Sequence, residues 1–357
     1  KRFTAFAVAP VMYNLGIIGG IIILVPMFGV QGLAWGVVLG AFLHFLVQLP
    51  SIARLGFRYR LSFDWRNKGV RRIERLMLPR TFSLAISQIN QMINTVISST
   101  LAVGSVAVFN AANNLQNVPI GIFAIPLSLA YFPVFSEAWV KQDIPKLIGA
   151  FSQAFRRMLF IAIPASVFMI LLRAHIVRLV LGSGNFDWEA TILTARTLSF
   201  FVLSLFAQCL IPLLARVFYS LQDTRTPVYI STISLLVDIA LSFPLAKWLG
   251  IAGLGLSFSI AALLNLFLLW VYLHRRLGNL DDSHIMRSTL VISLLSIVAG
   301  WALYAVLYLV APEVDTHTAL GLTIQAVAGG VVGLTVYLVL AKLVGLEEIK
   351  LKRNTQS

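Results

Sequence analysis

Charge is scarce in this 357-residue sequence: 12% of it is Asp, Glu, Lys or Arg, against about 25% in an ordinary soluble domain. With 59% hydrophobic residues and a mean hydropathy of +0.88, a soluble fold is close to excluded. Cysteine is nearly absent. The one thiol, Cys209, lies inside an apolar run, so no intrachain disulfide exists and nothing follows about redox compartment. The five histidines, at 44, 175, 274, 284 and 317, are dispersed and form no HExxH pair. A Walker loop is also missing, which excludes ATP hydrolysis by that route. The expectation is therefore a non-enzyme with no metal site and no cofactor. Work would be driven by an ion gradient, the membrane potential or the substrate's own gradient. An initiating methionine and a signal-peptide pattern are lacking too, and Lys1 and Arg2 read as the end of a loop feeding a span. The chain is thus expected to be a fragment that has lost an N-terminal part.

What is present is apolar length. At about 20 residues per crossing, ten spans are expected, near 5–28, 30–52, 79–104, 105–135, 157–181, 192–218, 226–248, 250–273, 288–311 and 319–344. The fold class is all-α, a polytopic transmembrane helical bundle. The formal net charge of +14 does not indicate a nucleic-acid partner, because the basic residues sit in short loops between apolar runs. With spans alternating, 24 of the 28 Lys and Arg fall on one side, and only Arg173, Arg178, Arg196 and Lys247 on the other. The positive-inside rule then puts both ends of the chain in the cytoplasm. The basic stretch 54–80 contains NKGVRRIERLMLPR, where Val70, Ile73, Leu76 and Met77 share a face. It is read as a short helix on the cytoplasmic surface, beside anionic lipid.

Residues 105–135, SVAVFNAANNLQNVPIGIFAIPLSLAYFPVF, carry five side-chain amides inside such a span. Asn110, Asn113, Asn114 and Asn117 recur at i, i+3, i+4 and i+7, an amide strip on one helical face. Facing lipid it would be costly, so it faces a cavity or a neighbouring helix, as a wall or as interhelical hydrogen-bond glue. Pro119, Pro126 and Pro133 follow at seven-residue intervals, and each is expected to kink the helix. The preceding span presents Ser87, Gln91, Asn94 and Ser98 on one face, expected to meet the amide strip around a polar cavity. Arg80 begins that span and is placed either at a phosphate or as a snorkelling anchor.

Asp238 is an acid near the middle of a span, in TPVYISTISLLVDIALSFPLA. Such a carboxylate marks a cation site, a proton relay or a partner of a buried base, with structural tethering as the alternative. Ser234 and Ser242 share its face, and Ser257, Ser259 and Asn265 are available on the next helix. Asp238 and Ser242 are the ion-coupling candidates. Asp223 and Arg225, in a short turn, are expected to pair with each other or with loop backbone, and with Pro119 to form hinges. An internal repeat aligns Gly29 with Gly250, Gly32 with Gly253, Leu33 with Leu254 and Arg54 with Arg275, all at an offset of 221. Transporters are commonly built from such repeats.

FYSLQDTRTPV, with GNFDWEATILTARTL and NNLQNVPIGIF upstream, the opening RFTAFAVAP and the loop GVQGLAWG, resembles the MurJ/MviN family of lipid II flippases, within the MOP exporter superfamily. The resemblance runs through about residue 278. It implies two six-helix bundles around a central cavity plus two helices forming a lipid-tail groove, fourteen helices of which ten are present. Residues 1–56 would then be the last two helices of the first bundle and 57–78 a cytoplasmic linker. The second bundle would be 79–278, and the extra helices with a basic tail 279–357. The implied activity is alternating-access movement of undecaprenyl-pyrophosphate-linked disaccharide pentapeptide across the bacterial inner membrane. Membrane lipids and the peptidoglycan synthesis machinery are the implied partners. The family pattern has charge at the positions of Asn113, Asn114 and Asn117, including an arginine at 114. Here all three are amides, so the pyrophosphate contact must come from elsewhere. Na+ or H+ coupling would rest on Asp238 and Ser242. The other readings are a polysaccharide-lipid flippase or multidrug antiporter of the same superfamily, and a transport-dead scaffold relative.

Overall fold

The structure is a computed structural model that describes residues 4–53, 68–182, 188–315 and 318–349. Among these, every regular element is a helix. The chain divides into two compact units, residues 1–76 and 77–357.

The first unit is a glycine-packed hairpin. Helix α1 (Thr4–Gly19) passes through a π-helical segment, Gly20–Leu24, into the short α2 (Val25–Phe28) and returns as α3 (Gln31–Ala53). Gly16 and Gly20 on one arm of the hairpin, and Gly32, Gly36 and Gly40 on the other, recur every four residues and so form facing stripes. A Cβ on Gly16 would stand 2.4 Å from the Gly40 Cα, and one on Gly20 2.3 Å from the Gly36 Cα. Small residues that let backbones meet are a means of holding helices where water cannot drive them together. Gly29 closes the turn at φ +58°, a conformation open to glycine at no steric cost.

The second unit contains α4 (Lys68–Ser99, largely within it), α5 (Ser105–Pro119), α6 (Ile125–Val140), α7 (Ile144–Leu171) and α8 (Arg173–Leu181). These are followed by α9 (Trp188–Val202), α10 (Leu205–Ser220), α11 (Arg225–Leu249), α12 (Ile251–Leu277), α13 (Asp282–Val310) and α14 (Ala319–Leu343). Its core is built on α7, whose Leu147, Phe151, Ala154, Phe155, Met158, Leu159 and Ala162 follow the helical period and are buried. Trp270 of α12 meets the rings of Phe151 and Phe155 with centroids 6.0 and 5.1 Å apart. α13 and α14 lie against this spine. Tyr337 donates its hydroxyl hydrogen bond to the Phe160 carbonyl at 2.8 Å, and Arg156 pairs with the buried Glu348 at 3.0 Å.

The ten expected spans are not all found. Among the described residues, eight helices are long and apolar enough to cross a membrane, or nine when α9 and α10, bent by 45° at their junction, count as one. The expected span 79–104 lies largely within α4, which is too polar to qualify. The short surface helix expected in NKGVRRIERLMLPR, residues 67–80, is likewise not separate, because the helix that starts at Lys68 continues to Ser99. Residues 54–67 lie outside the described residues. The span expected at 105–135 extends over Ser105–Val140, 36 residues, with a π-helical segment at Ile120–Ala124. Both π segments end two residues before a proline, Pro26 and Pro126. A wider turn relieves the clash between the ring and the carbonyl four residues back.

Candidate functional site

Within the second unit, α4, α5, α10, α11 and α12 surround a cavity of about 580 Å³. Its lining is a set of amides and hydroxyls interrupted by apolar side chains, and Asp238 is the one ionisable group that the described residues bring to it. The expected liners Gln91, Asn94, Asn113, Asn114 and Asn117 all border it. Asn110 does not; it is half-buried elsewhere on α5. The side chains of Arg80 and Ser87 lie outside the described residues.

The amides are ordered into two networks. In the first, Asp238 of α11 is 2% exposed and accepts a 2.8 Å hydrogen bond from Asn90 Nδ2 on α4, with Asn94 Nδ2 at 3.5 Å from the same oxygen. Asn94 Nδ2 also donates to Asn90 Oδ1 at 2.7 Å. Near them the hydroxyls of Ser242 and Ser257 are bonded to each other at 2.9 Å, joining α11 to α12. Three buried oxygens, Asn94 Oδ1, Asp238 Oδ1 and Asn265 Oδ1, have no hydrogen-bond partner. Buried polar atoms are normally satisfied, so this corner has capacity for a proton or a hard cation. No group of three His, Cys, Asp or Glu suited to a metal ion occurs among the described residues.

The second network starts on the amide strip. Asn117 Nδ2 donates to the Asn113 carbonyl at 2.9 Å, and Gln116 Nε2 donates to Asn113 Oδ1 at 2.9 Å. Gln208 of α10 then donates to Gln116 Oε1 and to Ser204 Oγ, both at 2.9 Å. Ser204 lies between α9 and α10, and its hydroxyl is 2.9 Å from that of Ser259 on α12. The cavity wall is thereby tied to the α9–α10 bend. Asn90, Gln116 and Gln208 join the site although no sequence pattern above singles them out. Asn90 has a readable signal, an amide four residues before Asn94. Gln208 is a lone amide in an apolar run, and its partner comes from another helix.

At the turn between α10 and α11, the Asp223 carboxylate accepts from the backbone of Arg225 and Thr226 at 3.1 and 3.0 Å and from Thr226 Oγ1 at 2.8 Å. Its cationic partner is Arg276 of α12 at 2.6 Å, while Arg225 contributes only its backbone N–H. Burial alone would raise the Asp223 carboxyl. The Thr226 bonds, the Arg276 charge and the Arg225 N–H together hold it below the usual range. Gln222, before it, takes the left-handed conformation at φ 60°, closing the C-terminus of α10.

A sequence model described as lipid II flippase MurJ matches residues 1–325. The chain belongs to the MurJ lipid II flippase family. Among curated MurJ relatives, the probable lipid II flippase of Haemophilus influenzae is 29% identical over 88% of this chain and 62% of its own. The lipid II flippase MurJ of Burkholderia cenocepacia is 30% identical over 77% of this chain and 55% of its own. The chain thus spans about 60% of the length of the curated MurJ proteins it matches. A solved MurJ in an inward closed conformation superposes with a TM-score of 0.77 at 22% identity, covering 96% of this chain and 68% of that one. An inward-facing MATE transporter of the MOP superfamily gives 0.67 at 18% identity over 77% and 64%. The fold is that of MurJ and MATE transporters, and the protein is a multi-pass membrane protein.

Proposed function

We propose that this chain forms part of a flippase that moves lipid II across the bacterial inner membrane by alternating access, with both described ends of the bundle on the cytoplasmic side. The observation that carries the reading is the amide-lined cavity in a chain of the MurJ family. Amides offer both donors and acceptors, which suits the hydroxyls and peptide groups of a disaccharide pentapeptide. The described residues bring no Lys or Arg to the cavity lining, so the pyrophosphate is held by other basic groups rather than by position 114. Gln91, Asn94, Asn113, Asn114 and Asn117 are the substrate contacts in this proposal. Asp238, with Ser242 and Ser257, takes the coupling ion, Na+ or H+. The amide chain through Gln208 carries cavity occupancy to the α9–α10 bend. Membrane lipids and the peptidoglycan synthesis machinery are the partners.

The amide at position 114, in a lining without basic side chains among the described residues, favours one second reading, a relative that no longer transports and serves as a scaffold. Rescue of a bacterium depleted of its own lipid II flippase separates the two. The complete open reading frame encoding this chain is expressed as native and as Asn114→Arg. The flippase reading expects the native protein to restore growth. Failure of the native protein with rescue by Asn114→Arg would mean that the cavity is retuned or silenced. Failure of both, with protein present in the membrane, would refute lipid II as substrate.

A further inference from the structure

Helices α9 and α10 form one broken span, bent by 45° near its middle. Sharp bends come from proline, from glycine or serine pairs, from π-bulges, or from a side chain that enters the backbone ladder. The junction FFVLSLFA, residues 200–207, has neither proline nor glycine and no π-helical turn. Pro212 lies too far on, where its ring faces the Gln208 carbonyl. What enters the ladder is a side chain from another helix. In an unbroken helix the Phe200 carbonyl would accept from the Ser204 N–H. Here that N–H turns to the Phe201 carbonyl at 3.3 Å, and Phe200 accepts from Ser259 Oγ of α12 at 2.5 Å. Gly255, one turn before Ser259, permits this reach. A Cβ there would stand 2.9 Å from the Thr197 carbonyl oxygen, so α12 rests directly on the α9 backbone. The bend is therefore held by α12 and not by its own residues.

The clasping hydroxyl belongs to a chain that starts at the amide cavity. Ser204 and Ser259 are buried, so each must spend its proton on a protein acceptor. A carbonyl cannot donate, which commits the Ser259 proton to Phe200 at 2.5 Å over Phe201 at 3.3 Å. Ser204 then donates to Ser259 Oγ at 2.9 Å, with the Phe201 carbonyl a longer alternative at 3.2 Å. Ser204 itself accepts from Gln208, whose amide lines the cavity. The donors run one way, from Gln208 through Ser204 and Ser259 to the carbonyl freed by the break, and each bond in such a series polarises the next. Aromatic rings make a second link. Phe201, fully buried, packs on Phe109 and Phe258 with centroids 5.5 and 5.3 Å away, and both of those rings line the cavity.

We propose that the α9–α10 junction is a hinge of the transport movement and that Ser259 is its clasp. Ser259 does not line the cavity. It is a positioning residue that holds the span bent, under the control of the donor chain from Gln208. When Ser259 withdraws, the Phe200 carbonyl regains the Ser204 N–H and the span straightens, so both forms keep their backbone bonded at membrane depth. The hinge rests on the flippase reading for its cargo, whereas the clasp is independent of what the cargo is.

The complete protein in nanodiscs is spin-labelled at the exposed Ile192 of α9 or Tyr219 of α10, each paired with the exposed Tyr272 of α12. Straightening through 45° displaces a label ten residues from the hinge by about 11 Å. Ser259→Ala is expected to shift the distance distribution of at least one pair by about that amount. It should also lower lipid II turnover about tenfold, with the half-saturating concentration changed less than about threefold. Ser204→Ala keeps Phe200 capped but cuts the chain, so it should retain the native distances and lower turnover by a smaller factor. In native protein, lipid II should redistribute the same pair between two populations, a readout that serves if Ser259→Ala does not fold. Native distances in Ser259→Ala, or shifted distances with native turnover, would overturn the hinge, as would a single unchanged population in native protein that transports. Native turnover in Ser204→Ala would overturn the donor chain. No lipid II transport by the native protein would refute the cargo and leave the Ser259→Ala distances to decide the clasp.

Discussion

The two hairpins related by the 221-residue offset, α1–α3 and α11–α12, have the same turn and opposite interiors. Gly29 and Gly250 have φ +58° and +63°, each with ψ −142°. The amide three residues on bonds back to each at 2.9 and 3.0 Å. A Cβ on Gly32 would meet the Leu24 carbonyl oxygen at 2.4 Å, and one on Gly253 would meet the Leu245 oxygen at 2.1 Å. Leu24 and Leu245 are themselves separated by the same offset. Inside the hairpins the likeness ends. Where the first has Ile17, Ile21 and Gly36, the second has Asp238, Ser242 and Ser257. One hairpin is closed by glycine against glycine. The other carries a buried carboxylate and a serine pair at the positions matching Ile17, Ile21 and Gly36. The shared turn sets the geometry, and under the proposed function the differing side chains separate a scaffold hairpin from a site hairpin.

The largest effects are expected at the turns. Gly253→Val and Gly32→Val each force a branched side chain into a backbone carbonyl, and both are expected to abolish recovery of a monodisperse protein by size-exclusion chromatography. If one variant is recovered with native yield, the two turns are not equivalent. Next comes the interior. Asp238→Leu is expected to remove transport, at least a hundredfold, while keeping the helical fold, because it replaces a buried carboxylate by an apolar side chain of similar size. Ile17→Leu, at the matched position, should leave transport within twofold. Equal effects in a vesicle transport assay would remove the distinction between scaffold and site.

A smaller effect is expected one contact away from the second hairpin. Gln208→Leu leaves the buried Gln116 oxygen without a donor, at a cost of about 1–3 kcal/mol. It also cuts the link from cavity to bend, so turnover should fall more than substrate affinity. An unchanged thermal midpoint would contradict the satisfied network. The mildest prediction concerns the turn before α11. The depressed Asp223 carboxyl contributes stability above the ordinary carboxylate pKa, and that contribution is lost as pH falls through its lowered folded value. Native protein should lose thermal stability on acidification more steeply than Asp223→Asn. Parallel pH profiles would show that the Arg276 pair contributes nothing.

Much of this is legible in the sequence. The amide strip on α5 is a helical periodicity, so spacing alone puts Asn113, Asn114 and Asn117 on one face. The turn glycines stand out because a repeat of loop residues is less degenerate than a repeat of apolar ones. Other features are not legible because they depend on packing between distant segments. Asp223 shares its turn with Arg225, yet its guanidinium partner is Arg276, 53 residues on. Gln208 has no periodic companion and gains meaning only when α5 brings Gln116 to it. Asn110 obeys the strip's spacing but falls beyond the cavity's edge. The span count fails at α4 because a count by length overlooks that helix's polarity.

Whether lipid II passes through the amide cavity can be read by site-specific photo-crosslinking. A photoreactive amino acid is placed in the complete protein at position 114 on the cavity wall, and separately at the exposed Val37 of the glycine hairpin. Membranes are then supplied with radiolabelled lipid II and irradiated. Passage through the cavity predicts a labelled adduct at position 114 that unlabelled lipid II competes away, and none above background at position 37. An adduct at 37 without one at 114, in protein that still supports growth, would contradict it.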